Sequence, residues 1–470
     1  MYIISRIINC LKSNFICFIS IIHALWLIFF TFIWLNQSFT YGDELFMMQA
    51  ISGIKNQIFN IGQKPDPKNF LFVNIAYDRK LIPKFDEDGI EIGRQDITNR
   101  ENLAKFFHIL NQKPDNHKFV LCDVYFGDPC PDDETFADEL KQMKNILIPY
   151  HKTTEGQWEL PIPIFDGVPR GIADYITADT KGTFLKFTFM ESDIHKSIPL
   201  LMYEKLHGAS FRKEAFLYFM NGSLSLNSVI LNLRIQNDDL HENEDYRRFY
   251  VNMEMLLRLP EAALLEFVKD RIVVIGDFEE RDIHETVFGN MAGPLVLVNA
   301  YLSLVNGDNM FSLSFLMTLF LFYLWISYRI FSDRPFGIWN YLKKPFFKLT
   351  ATVEHILLLK NVGAYLKKKN TRVLISSIVA AVGFCLFLYF YFDIPLNLSF
   401  IPLYLIIAWI IEIEFITMLT NYFIIAVIFS VFSYFVFQFS VNILFIAAYL
   451  TMTEKVVNYV RQKRTEQIFP

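Results

Sequence analysis

Cysteine is scarce in this chain, and the scarcity excludes a disulfide-built scaffold: five occur among 470 residues. Cys10, Cys17 and Cys385 lie in or beside long apolar runs, which leaves Cys122 and Cys130 in the water-soluble part. Those two stand eight apart across a Gly-Asp-Pro turn. Two readings stay open for them: a disulfide formed in an oxidising compartment, or a buried strand thiol at Cys122. Positive charge is also sparse where a nucleic-acid binder needs it. Residues 38–309 hold 28 Lys and Arg against 42 Asp and Glu, the reverse of a phosphate-binding face. Signatures of catalysis are missing as well. There is no G-x-S-x-G elbow and no pair of His at i and i+4, and IGDF (275–278) has one Gly where a phosphate loop needs several. Asp282, His284, Glu285 and Thr286 therefore read as a turn. No enzyme activity, cofactor or metal site is expected.

What the chain does have is long runs without charge. Phe15–Asn36 is 22 residues with no formal charge, and about 20 apolar residues cross a bilayer core. No small-residue cleavage signal follows, so the run reads as a retained anchor. Its lone His23 is expected to pack or to bond a neighbouring backbone. Phe311–Phe331 and Val373–Phe392 are further spans. Leu398–Tyr449 holds two or three more, interrupted only by Glu412 and Glu414, acids expected to snorkel toward the cytoplasmic interface. The stretch from Arg329 to Arg372 carries ten Lys or Arg and two acids, which places it in the cytoplasm together with the basic N-terminus. The acidic block then lies outside. Lys455, Arg461, Lys463 and Arg464 favour a cytoplasmic tail, hence six spans over five. Within the loop, Lys343, Lys344, Lys348, Lys367, Lys368 and Lys369 alternate with aromatic and aliphatic residues. That pattern suits membrane lipids or a protein partner at the membrane surface.

The chain thus divides into a stub and anchor (1–37), an external domain (38–309), a span (310–331), a basic interfacial loop (332–372), further spans (373–460) and a tail (461–470). The external domain opens with an amphipathic helix over 43–60. Strands are expected at 70–78, 118–126, 146–150 and 269–278, and helices at 98–110, 132–144 and 293–307. Thr98 and Glu101 fit a capping box on the first of these helices. Strand–helix alternation implies a mainly parallel sheet with helices on both faces, an α/β fold. Segments 184–190 and 225–235 read as an antiparallel extension. Asp78, Asp123 and Asp282 fall at or past strand ends, where open α/β sheets bind ligands; the alternative is that they cap helices and turns.

Three stretches resemble one family. Asp78 followed by IGRQDITNR (92–100), CDVYFGDP with DDETFADEL (122–140), and RIVVIGDF through LVNG (271–307) are similar, in order, to the type-two CHASE domain of bacterial signalling proteins. The resemblance implies a sensory α/β domain between membrane helices, with Asp78, Arg94, Arg100, Asp123, Asp282 and Thr286 as ligand-binding residues. It also implies a bacterial inner (cytoplasmic) membrane, with the large domain in the periplasm. No kinase or cyclase output domain follows in the sequence, so signalling is expected to reach a separate partner, and a homo-oligomer is compatible with this. The competing reading is an assembly subunit of an envelope complex, with the domain as a docking platform. The short connection Gly307–Met310 predicts rigid coupling of the domain to the span that follows.

Overall fold

The computed structural model describes residues 2–37, 64–85, 88, 90–153, 155–174, 186–279, 281–286, 289–334, 414–437, 439, 441 and 443–468. It comprises a helical unit, drawn from Met1–Leu35 and Ser312–Pro470, and an α/β unit within Gly53–Phe311. Outside the described residues lie the helix expected at 43–60, the span Val373–Phe392, Glu412, and all six lysines named in the basic loop.

The helical unit follows from the apolar runs. Its helices are α1 (Tyr2–Leu35), α7 (Leu313–Phe331), α8 (Glu414–Phe437) and α9 (Ile443–Ile468). All four are long and apolar enough to cross a membrane. Glu414 is the first residue of α8. Lipid offers no hydrogen bonds, so polar side chains must find partners inside such a unit. Thr31 and Tyr323 share a hydrogen bond of 2.7 Å, and His23 Nδ1 lies 2.7 Å from Ser327 Oγ. His23 therefore bonds a side chain of another helix and not a backbone, and its ring stacks on Tyr449. Tyr422 donates to Glu454 at 2.7 Å and so pins α8 to α9.

The α/β unit is built on short β-rich runs. Its central strands are β1 (Phe70–Asn74), β4 (Phe119–Cys122), β5 (Ile146–Lys152), β6 (Trp158–Glu159), β7 (Arg170–Ile172), β8 (Tyr250–Asn252) and β9 (Ile272–Gly276). They order as β8-β1-β9-β4-β5-β6, with β7 also on β5, and all pairings are parallel except β5 with β6. Phe72, Val274, Leu121 and Leu147 form one register line across the sheet. β1, β4 and β9 are buried throughout, as parallel strands covered on both faces must be. On one face Leu71, Val73, Val120, Cys122, Val273 and Ile275 pack with residues of α2 (Arg100–Asn111), α3 (Asp133–Gln142) and α5 (Glu261–Val268). The alternate residues point the other way, where α4 (Ile198–His207) and α6 (Gly293–Val305) lie against the sheet.

Two expectations change. Thr98 does not cap α2: it is the last paired residue of a hairpin arm made by β2 (Arg79–Phe85) and β3 (Glu91–Thr98). Asn99 is the cap instead, accepting from Asn102 N–H at 3.3 Å, and Glu101 bonds Lys105. The stretches 186–188 and 228–230 pair with each other in a separate two-stranded ladder and do not extend the main sheet. The short connection Gly307–Met310 is held by side chains of the α/β unit. Asp308 forms a buried ion pair with Arg234 at 2.8 Å. Asn309 donates to Ser225 Oγ at 2.7 Å, and its carbonyl accepts from Leu226 N–H. The segment is part of the α/β unit.

Candidate ligand-binding site

Five of the parallel strands end by turning the chain into the same region. Past β1 comes Ile75, past β4 Asp123 and Val124, near the end of β5 His151, past β7 Ala173 and Asp174, and past β9 Asp277. Together with Arg79, Thr98, Arg281, Asp282, His284, Gly293 and Leu297 they line a cavity of about 580 Å³. This is the crevice outside the carboxyl ends of the strands, where open α/β sheets bind small molecules. Its volume lies within the range of ligand pockets, about 300–1,000 Å³.

Two glycines bring the walls together. A Cβ on Gly276, the last residue of β9, would sit 2.3 Å from Pro294 Cγ and 3.5 Å from Asp123 Cβ. A Cβ on Gly293, the first residue of α6, would meet the Asp282 carboxylate at 2.2 Å. Strand end, helix start and both aspartates approach one another only because these positions lack side chains.

The charges lining the cavity are mostly paired. Arg79 donates to Asp277 at 3.0 Å and Arg281 to Asp96 at 2.5 Å. His151 Nδ1 lies 2.7 Å from Asp174 and His284 Nε2 2.8 Å from Asp282. Burial pulls the His151 pKa down, but the hydrogen bond and charge of Asp174, aided by Asp123 and Glu159, outweigh it and leave it raised. Asp123 differs. Its backbone N–H continues the sheet to Ile275 O at 2.8 Å, yet among the described residues its carboxyl makes no hydrogen bond or ion pair. Part of Asp123 faces the cavity and protein crowds the remainder. Burial first, and the charge of Asp282 second, push its pKa up to about 8, against the opposing pull of His151.

Of the six residues named from the sequence, Asp123 and Asp282 meet in this cavity. Asp78 does not line it: buried beside α2, it accepts from Asn102 Nδ2 at 2.7 Å, and desolvation raises its pKa. Arg94 stands exposed on β3. Arg100 is buried, ion-paired with Asp133 and set against the Phe126 and Phe165 rings. Thr286 closes the turn between strands Ile283–Thr286 and Gly289–Ala292 by donating to Gly289 O at 2.7 Å. Cys122 and Cys130 are both free thiols, so the disulfide is not formed. Cys122 belongs to the main core and Cys130 to a small cluster with Ile82 and Ile97. Sequence reasoning missed Asp174, Asp277 and His151, although the first two are each preceded by a short strand run, RGIA and IVVIG. No set of three potential metal ligands comes together among the described residues.

A family model, the CHASE2 domain, matches residues 25–329. The chain belongs to the CHASE2 family. CHASE2 is a sensory domain, and here the match runs from within α1 to the end of α7, so it takes in both helices that flank the α/β unit in sequence. No curated protein and no solved structure matches the chain.

Proposed function

We propose that the CHASE2 domain of this protein binds a small ligand in the cavity at the carboxyl edge of its sheet. The bound state passes through the membrane helices to a separate partner protein. The observation that carries this reading is the cavity itself, lined from five strand ends and holding at Asp123 a carboxyl without a partner among the described residues. In the same reading the α/β unit lies in the periplasm of a bacterial cell, its helices cross the inner membrane, and the basic loop at 332–372 faces the cytoplasm. The charge asymmetry of the sequence supports this orientation. The protein acts as a receptor and not as an enzyme.

A thermal-shift screen of the whole protein in lipid nanodiscs against small polar metabolites tests the site. A compound that raises the melting temperature of the wild type but not of Ala173→Phe, which fills the cavity wall, supports it. Compounds that shift both proteins equally, or no shifting compound at all, would sink it. Cross-linking in native membranes, with and without such a compound, tests the partner.

A second reading, an assembly subunit, draws on the β2–β3 arm. Leu81 and Ile92 on this arm are 63% and 58% exposed, an apolar face fit for docking. Leu81→Ser with Ile92→Ser separates the two readings. Loss of a co-purifying complex with unchanged ligand binding favours assembly.

A further inference from the structure

The pairing pattern inside the cavity is selective about what a ligand must bring. Arg79, Arg281 and His151 are each matched by a protein carboxylate, Asp277, Asp96 and Asp174 respectively. An anionic ligand would have to break one of these pairs. Arg79–Asp277 and His151–Asp174 are partly withdrawn from water, so breaking either strands a partly desolvated charge, and the more exposed Arg281 stays held by Asp96. Asp282 has its own partner in His284. Asp123 alone of the described charged lining residues has none, and it lies in the field of Asp282. What the cavity lacks is therefore a cationic donor opposite Asp123, since charge-assisted hydrogen bonds exceed neutral ones in strength. A bare metal ion does not fit, because no three ligating side chains converge among the described residues. Ile75, Val124 and Leu297 give the same cavity apolar wall, which suits a hydrocarbon body.

We propose that the ligand is a small organic cation, a protonated amine on a short aliphatic frame, whose N–H donors bind Asp123. The inference rests on the cavity being the sensory site. The ligand enters as an ammonium ion and Asp123 accepts its hydrogen bonds as a carboxylate. Asp282, His151 and Asp174 are the titratable groups facing Asp123; burial first, and the charge of Asp282 second, keep it protonated at neutral pH in the empty state. Binding then releases a proton from Asp123 to solvent.

Calorimetry on the whole protein in nanodiscs, with n-butylammonium, 1,4-diaminobutane and n-butanol as probes, tests this. At pH 7 the amines bind at least tenfold tighter than the alcohol. Measurement in two buffers of different ionisation heat reads up to one proton released per amine at pH 7. At pH 9 it reads little, because Asp123 is already ionised while a simple amine keeps its proton, with a pKa near about 10.4. Asp123→Asn, which keeps size and shape, loses tenfold or more in amine affinity. Ala173→Phe, which leaves every charge in place, loses it too. Butanol binding as well as the amine, or full amine affinity in either folded variant, overturns the proposal. If neutral or anionic compounds bind and Ala173→Phe blocks them while amines do not bind, the ligand class is wrong and the site stands. If nothing binds, both readings fall.

Discussion

Arg461 in α9 donates to Asp333 Oδ1 at 2.7 Å, and its second Nη reaches the carbonyls of Phe331 at 2.7 Å and Ile330 at 3.1 Å. The guanidinium thus closes the C-terminal end of α7, where orphan carbonyls and the negative end of the helix dipole await a cation. Residues near 333 and 461 therefore share one side of the helical unit. Reporter fusions after Lys348 and after Ile468 are expected on the same side, the cytoplasmic one. Opposite sides would show that the pairing, or the register of α9, is wrong.

Asp123 makes stability fall as pH rises. Its folded pKa, near 8, lies above the ordinary carboxyl value, so between about pH 4 and 8 the folded state holds a proton that the unfolded chain gives up. Stability is full below that window and declines through it. Asp123→Asn removes the decline. The variant should match the wild type near pH 4 and exceed it at pH 8 by about 2 kcal/mol, because water in the cavity screens part of the penalty. Melting curves across pH check this. Parallel curves for the two proteins would refute it.

The two arginines of the family-like stretch should behave oppositely. Arg100→Met leaves Asp133 buried without its cation and should cost about 3–5 kcal/mol in urea unfolding. Arg94→Met is exposed and should stay within about 0.5 kcal/mol. Equal effects would show that the placement of Arg100 is wrong.

Gly276→Ala forces a methyl into Pro294 at the start of α6. Overpacking of this kind costs about 1–3 kcal/mol. Because Asp277 and Gly293, the chain neighbours of Gly276 and Pro294, line the cavity, ligand affinity should fall along with stability. A variant with wild-type melting would show that strand end and helix start have room to part.

Reductant should leave the melting temperature unchanged, since Cys122 and Cys130 are free and sit in separate clusters. Thiol titration of the folded protein should leave Cys122 unlabelled, because burial pushes its thiol well above the ordinary range and hides the sulfur. Rapid labelling of Cys122 without unfolding would contradict its burial.

Much of the architecture was legible in one dimension. A charge-free run of 22 residues has few fates other than a membrane. Unbroken apolar runs such as FLFVN and IVVIG become strands buried on both faces. Local periodicity and composition record how much surface a segment must hide, and that requirement survives without knowing its neighbours. Asp123 and Asp282 were found the same way, as acids just past a strand.

Partner choice was not legible. Arg79 and Asp277 are 198 residues apart and His151 and Asp174 are 23 apart, and nothing local marks either pair. Thr98 carries a good cap side chain, yet β2 claims its backbone and Asn99 takes the role. Gly307–Met310 was legible as a short connection, but nothing local shows that Ser225 and Arg234 are what bind it. Sequence by itself determined what each segment is: span, buried strand, amphipathic helix, strand-end acid. Only the tertiary structure decided which charges cancel and which one, at Asp123, is left over. Electrostatic pairing depends on distances through space, and these are set when the sheet assembles in the order β8-β1-β9-β4-β5.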